Sequence, residues 1–174
     1  MDDALVLISE MNELIWKALK RSVGDLTKEE IDWRPLPQAN SINIIVRHLA
    51  IEAQWHLDSL ERGEPMPGAT VSPDLQQMID AVPLDFEQNY KNLERLYTRF
   101  IEILRAMTLP QLQQRTEAAY GHAPEFKAPA HFLGYHQAVH VAGHCGQIST
   151  IRNLYRTTRG EPARFFPENP TYPK

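Results

Sequence analysis

The chain has 174 residues, 43% hydrophobic and 23% charged, enough for one folded domain with a core and too short to expect two. Its formal net charge of −4, with Lys and Arg scattered among acids, excludes the clustered basic surface that a polyanion needs, so no nucleic-acid partner is expected. The single cysteine, Cys145, excludes an intrachain disulfide, and no apolar run approaches the roughly 18 residues that span a bilayer, so no membrane partner is expected.

The sequence starts Met1-Asp2-Asp3, without the basic and apolar stretches of a signal peptide, and a cytoplasmic location is expected. The first helical segment is predicted from about Asp3 to Ser22. Ile8, Met11, Ile15 and Ala18 recur there at steps of three and four, and Gly24 marks the stop. Thr27-Lys28-Glu29-Glu30 has the spacing of a capping box and predicts a short helical turn before Trp33-Arg34-Pro35. Pro35 and Pro37 forbid a continuing helix.

Asn40-Ser41 supplies cap residues for a second long segment, ended near Arg62 by Gly63 and Pro65. Glu64 to Pro83 holds Pro65, Pro67, Gly68 and Pro73, and reads as a long connection with at most one short turn. The third long segment starts near Pro83 and carries the clearest stripe: Phe86, Tyr90, Leu93, Tyr97, Phe100, Leu104 and Met107, the seam of a bundle helix. Thr116 to Lys127 is a polar loop with room for brief extended pairing. The fourth segment runs from about Pro129 to Thr158, closed by Gly160 and Pro162. No convincing strand pattern appears. The expected class is all-α, a four-helix bundle with at least one long crossover, in which residues 1–174 form a single domain and the proline-rich tail from about 160 lies over the bundle or a partner subunit.

Seven histidines accompany that one cysteine. His136, His140 and His144 recur every four residues on the last segment, so neighbours in the series stand one above the other on a helix and can share one ion. His140 and His144 form the stronger pair, but a catalytic zinc-type site wants three protein ligands and an open position. His48 lies in the otherwise apolar run Ile44-Ile45-Val46-Arg47-His48-Leu49-Ala50 of a facing segment, where a polar ring is costly unless paired. The expected metal ligands are therefore His48, His140 and His144. Gly143 and Gly146 weaken the helix around the pair by about 1 kcal/mol each relative to alanine and suggest close approach of another helix or a ligand.

Among the other polar residues, His136, Gln147 and Glu52 are pocket candidates. His136 is placed to line the pocket or to bond a ligand ring, and Gln147 to donate to a metal-bound group or cap a buried polar atom. Glu52 is placed to orient a ligand, although an exposed helix carboxylate is the simpler reading. His56 and His131 read as surface or packing residues, His122 as a loop residue, and Cys145 as a small buried hydrophobe rather than a fourth ligand. A di-iron carboxylate site is excluded, since no paired Glu-x-x-His motif exists: Trp55 stands where Glu52 would need its histidine.

Asn40-Ser41-Ile42, His48-Leu49-Ala50 and the HxxxHxxxH run into Gly146-Gln147-Ile148 resemble the DinB/YfiT-like superfamily over nearly the whole chain. The resemblance implies a four-helix bundle, a three-histidine site at His48, His140 and His144 usually holding zinc or nickel, and often a homodimer. The family often has Arg after the last ligand; Cys145 replaces it here, which removes that residue from any substrate-binding role. A divalent ion on three neutral imidazoles keeps its full charge and an open position, so it activates a bound thiol or water. Characterised relatives include thiol-dependent transferases, and the resemblance favours a metal-dependent S-transferase joining a low-molecular-weight thiol to a small electrophile. The alternatives are a hydrolase using metal-bound hydroxide and a non-catalytic metal-binding stress-response module.

Overall fold

The computed structural model describes the backbone of residues 3–62, 73–113, 115–120 and 123–162. Its elements are α1 (Asp3–Val23), α2 (Lys28–Asp32), α3 (Ile42–Arg62), α4 (Pro73–Asp80), α5 (Phe86–Ala106), α6 (Leu109–Gln113), β1 (Arg115–Tyr120), β2 (Ala123–Pro129) and α7 (Ala130–Thr158). The four long helices α1, α3, α5 and α7 correspond to the four predicted segments. Each packs against two others: α1 against α7 and α5, α3 against α5 and α7. Helices α1 and α3 therefore stand across one diagonal and α5 and α7 across the other, and each diagonal is crossed by a connection. The fold class is all-α, with one local departure. Strands β1 and β2 pair antiparallel as an irregular hairpin, Arg115 opposite Pro129 and Tyr120 opposite Ala123, in the stretch expected to be a loop with brief extended pairing. The tail beyond residue 162 lies outside the described residues.

Local chemistry sets the helix ends. The Thr27 hydroxyl accepts from Glu30 N and the Glu30 carboxylate from Thr27 N, the predicted capping box. Ser41 caps α3 through Ile44 N, and Asp85 caps α5 through Gln88 N. At the end of α7, Gly160 takes φ +74°. Its N–H bonds to Thr157 O at 3.1 Å and Glu161 N to Arg156 O at 2.9 Å, a Schellman stop that needs the left-handed conformation glycine allows.

The core fixes the height of α7, and with it the histidines. Trp16 of α1 stacks on Tyr97 of α5 with ring centroids 5.2 Å apart, a contact that contributes on the order of 1 kcal/mol beyond area burial. The buried Tyr97 hydroxyl donates to Asn12 Oδ1 at 3.0 Å, and Asn12 Nδ2 donates to Gly134 O at 2.9 Å. One polar chain thus ties α5, α1 and α7 at a single level. Gly134 allows that approach, since a Cβ there would lie 2.7 Å from Ile8 Cγ2 and 3.3 Å from both Leu104 methyls. A β-branched Ile8 has little rotamer freedom with which to yield. We expect Gly134→Ala to destabilise the fold by about 1–3 kcal/mol, read as a lowered urea midpoint with an unchanged m-value. The close approach of another helix is not what the structure shows at Gly143 and Gly146: a Cβ at either would meet nothing within 4 Å, because both face solvent. The glycine that admits a neighbouring helix is Gly134.

Candidate metal centre

Helices α3 and α7 bring together the rings of His48, His140 and His144. His140 Nε2 lies 3.1 Å from His48 Nε2 and 3.0 Å from His144 Nε2, and one ring nitrogen of each residue lies within 4.8 Å of the other two. Zinc–imidazole bonds of about 2.0–2.1 Å in tetrahedral geometry separate the nitrogens by roughly 3.3 Å, so the three rings fit one divalent cation. Two of them share a face of α7 one turn apart, and the third comes from α3 because His48 falls on the side of that helix turned to α7.

The protonation states point the same way. Burial, then the neighbouring His144, pushes the His48 ring down to about 4. Burial, then His144 and His48, pushes His140 down to about 3. Burial also lowers His144, against a hydrogen bond from its Nδ1 to Gln147 Oε1 at 2.7 Å. All three rings are therefore neutral near pH 7, the form that ligates a metal. The Gln147 bond places the His144 proton on Nδ1 and leaves Nε2 with its lone pair toward the cluster. A single His140 N–H cannot satisfy the nitrogens of both His144 and His48, and the depressed pKa values exclude an extra proton. A cation satisfies all three lone pairs at once.

Gln147 therefore orients the His144 ring through its amide oxygen. Cys145 is half-buried against the main hydrophobic cluster, and its thiol is pushed up to about 11 by burial, opposed by a hydrogen bond to Ser22. It faces α1, as its position one residue past His144 requires, and among the described residues no carboxylate or thiol joins the three imidazoles.

His136 and His56 form a second tier. His56 is completely buried, the packing alternative of its two expected roles. Its Nδ1 donates to Glu52 O at 2.8 Å, so its Nε2 accepts from His136 Nδ1 at 2.9 Å. The His136 ring stacks on His140 with centroids 5.7 Å apart, which links the tiers. Sequence spacing missed this pair because eighty positions separate its members; the only signal was an imidazole two turns from His48 on the same stripe. Glu52 also departs from the exposed carboxylate of the simpler reading: its side chain is 19% exposed, and burial pushes its carboxyl up to about 7. His131 and His122 have side chains outside the described residues. A largely apolar cleft of about 280 Å³ lined by Ala50, Ile51, Gln54, Trp55, Met78 and Leu96 opens among α3, α4 and α5 and includes none of the histidines.

The sequence matches the family model described as Mycothiol-S-transferase over residues 13–157. None of the curated proteins compared with the chain matches it. No helix among the described residues is long and apolar enough to cross a membrane.

Proposed function

The chain belongs to the mycothiol S-transferase family of DinB/YfiT-like proteins, and from that premise we propose that it is a metal-dependent thiol S-transferase, with His48, His140 and His144 as ligands of one zinc or nickel ion. The observation that carries this reading is the convergence of three neutral imidazoles without a fourth described ligand. Three ligands leave a coordination position for a reactant; a closed four-ligand set is the mark of a structural site. When bound there, a divalent cation lowers the pKa of a coordinated thiol, so that the sulfur reacts as thiolate at neutral pH. The protein's part is to keep the three rings deprotonated by burial, to fix His144 through Gln147, and to hold His140 against His136. The co-substrate is a low-molecular-weight thiol, mycothiol being the one in the family's name, and the second substrate is a small electrophile. A single domain, a cytoplasmic location and a homodimer complete the proposal; the dimer rests on the family resemblance.

The test is turnover of an electrophile such as a haloaromatic by the metal-loaded protein, with and without mycothiol or another low-molecular-weight thiol. Consumption is expected only with thiol present and is expected to stop on chelation. Consumption indifferent to thiol would replace the transferase by a hydrolase using activated water.

A further inference from the structure

The two histidine tiers fix the register between α3 and α7. His48 faces His144 with ring centroids 4.9 Å apart, and two turns further along α3, His56 faces His136 at 5.1 Å. Numbers rise along one helix as they fall along the other, so the helices run antiparallel here. Glu52, midway between His48 and His56 on one stripe of α3, therefore stands level with His140, midway between His136 and His144 on the facing stripe of α7.

Two groups at that level lack a hydrogen bond among the described residues. His140 Nδ1 is buried with no partner. The mostly buried Glu52 carboxylate comes within 3.9 Å of His56 Nδ1, too far for a hydrogen bond, and that nitrogen already donates to the Glu52 backbone carbonyl at 2.8 Å. With Nε2 of His140 turned to a cation, the proton of that neutral ring resides on Nδ1, which is then a buried donor in want of an acceptor.

We propose that Glu52 is the positioning residue of the metal centre: by a change of side-chain rotamer its carboxylate accepts the Nδ1–H of His140, fixing the tautomer and plane of that ligand. This rests on the metal reading above and adds to it an outer contact for His140, as His144 already has one in Gln147. A carboxylate behind a ligating imidazole raises its basicity and holds its orientation. It also accounts for an acid kept where burial opposes its charge.

The test is titration of metal-free wild type, Glu52→Leu and Glu52→Gln with zinc, alongside thermal unfolding of each metal-free protein. Glu52→Leu is expected to weaken zinc binding about 10–100-fold, and Glu52→Gln, whose amide oxygen still accepts, by less. Both metal-free variants are expected to melt at or above wild type, because a desolvated carboxyl has been removed; a purely structural role would lower melting and affinity together. Zinc affinity of Glu52→Leu within about threefold of wild type would overturn the proposal. Should the leucine variant fail to fold, an unchanged His140 Nδ1 proton resonance and unchanged affinity in zinc-loaded Glu52→Gln would overturn it equally. A wild-type chain that binds no zinc would instead sink the metal reading itself, a distinguishable outcome.

Discussion

Replacing His140 with alanine is expected to abolish stoichiometric metal binding while leaving the helical signal close to that of the parent chain. His140 Nε2 is the nitrogen shared by both close contacts, 3.1 Å to His48 and 3.0 Å to His144, so its removal leaves two ligands on different helices. The loss should exceed the roughly 10–100-fold typical of removing an outer partner. The fold should tolerate it. The core contribution of α7 comes from Leu133, Ala138, Val141, Ile148 and Ile151, and alanine is the best helix former. The variant also removes a buried Nδ1 that has no described partner. Elemental analysis paired with far-UV circular dichroism checks both halves, and undiminished metal content contradicts the ligand assignment.

The metal-free protein is expected to lose stability steeply as the pH falls from 6.5 toward 4. The unfolded chain takes up protons at its histidines as the pH drops through 6.5. The folded chain does not do so until about 4 at His48 and about 3 at His56 and His140. Across that window the unfolded state binds more protons, so the free energy of unfolding rises with pH by about 1.4 kcal/mol per pH unit for each proton of difference. Glu52 acts in the opposite sense. With its carboxyl pushed from 4.5 to about 7, the folded state keeps a proton that the unfolded state releases, and its contribution declines as pH rises between those values. Three strongly shifted imidazoles outweigh one carboxyl below 6.5. Stability should therefore climb to about pH 6.5 and then level or fall slightly. Urea midpoints of chelator-treated protein between pH 4 and 7.5 measure this, and a midpoint that held or rose on acidification would contradict it.

The four long helices were readable because each carries a stripe at helical spacing and a recognisable terminus, as with Ser41 and Gly160. The three imidazoles were readable because two share a face one turn apart and the third interrupts an apolar run. Other features depend on the rotational phase of a helix against its neighbour, which periodicity does not specify. The glycines show this. Gly143 and Gly146 weaken α7 without meeting anything, while the equally ordinary Gly134 faces Ile8. His56 and His136 needed the α3–α7 register before their pairing had meaning, and Glu52 needed it before its burial did. The short helix α4 begins at Pro73, a favoured first-turn residue that lay hidden among the other prolines of its connection. The β1–β2 hairpin lacks the alternation of apolar and polar residues that announces a strand.

Titrating the chelator-treated chain with zinc or nickel at pH 7 and counting equivalents tests the centre most directly. We predict one saturable site per chain, lost when His48, His140 and His144 are all replaced by alanine. Absence of saturable uptake in the parent chain, or uptake unchanged in the triple variant, would contradict it.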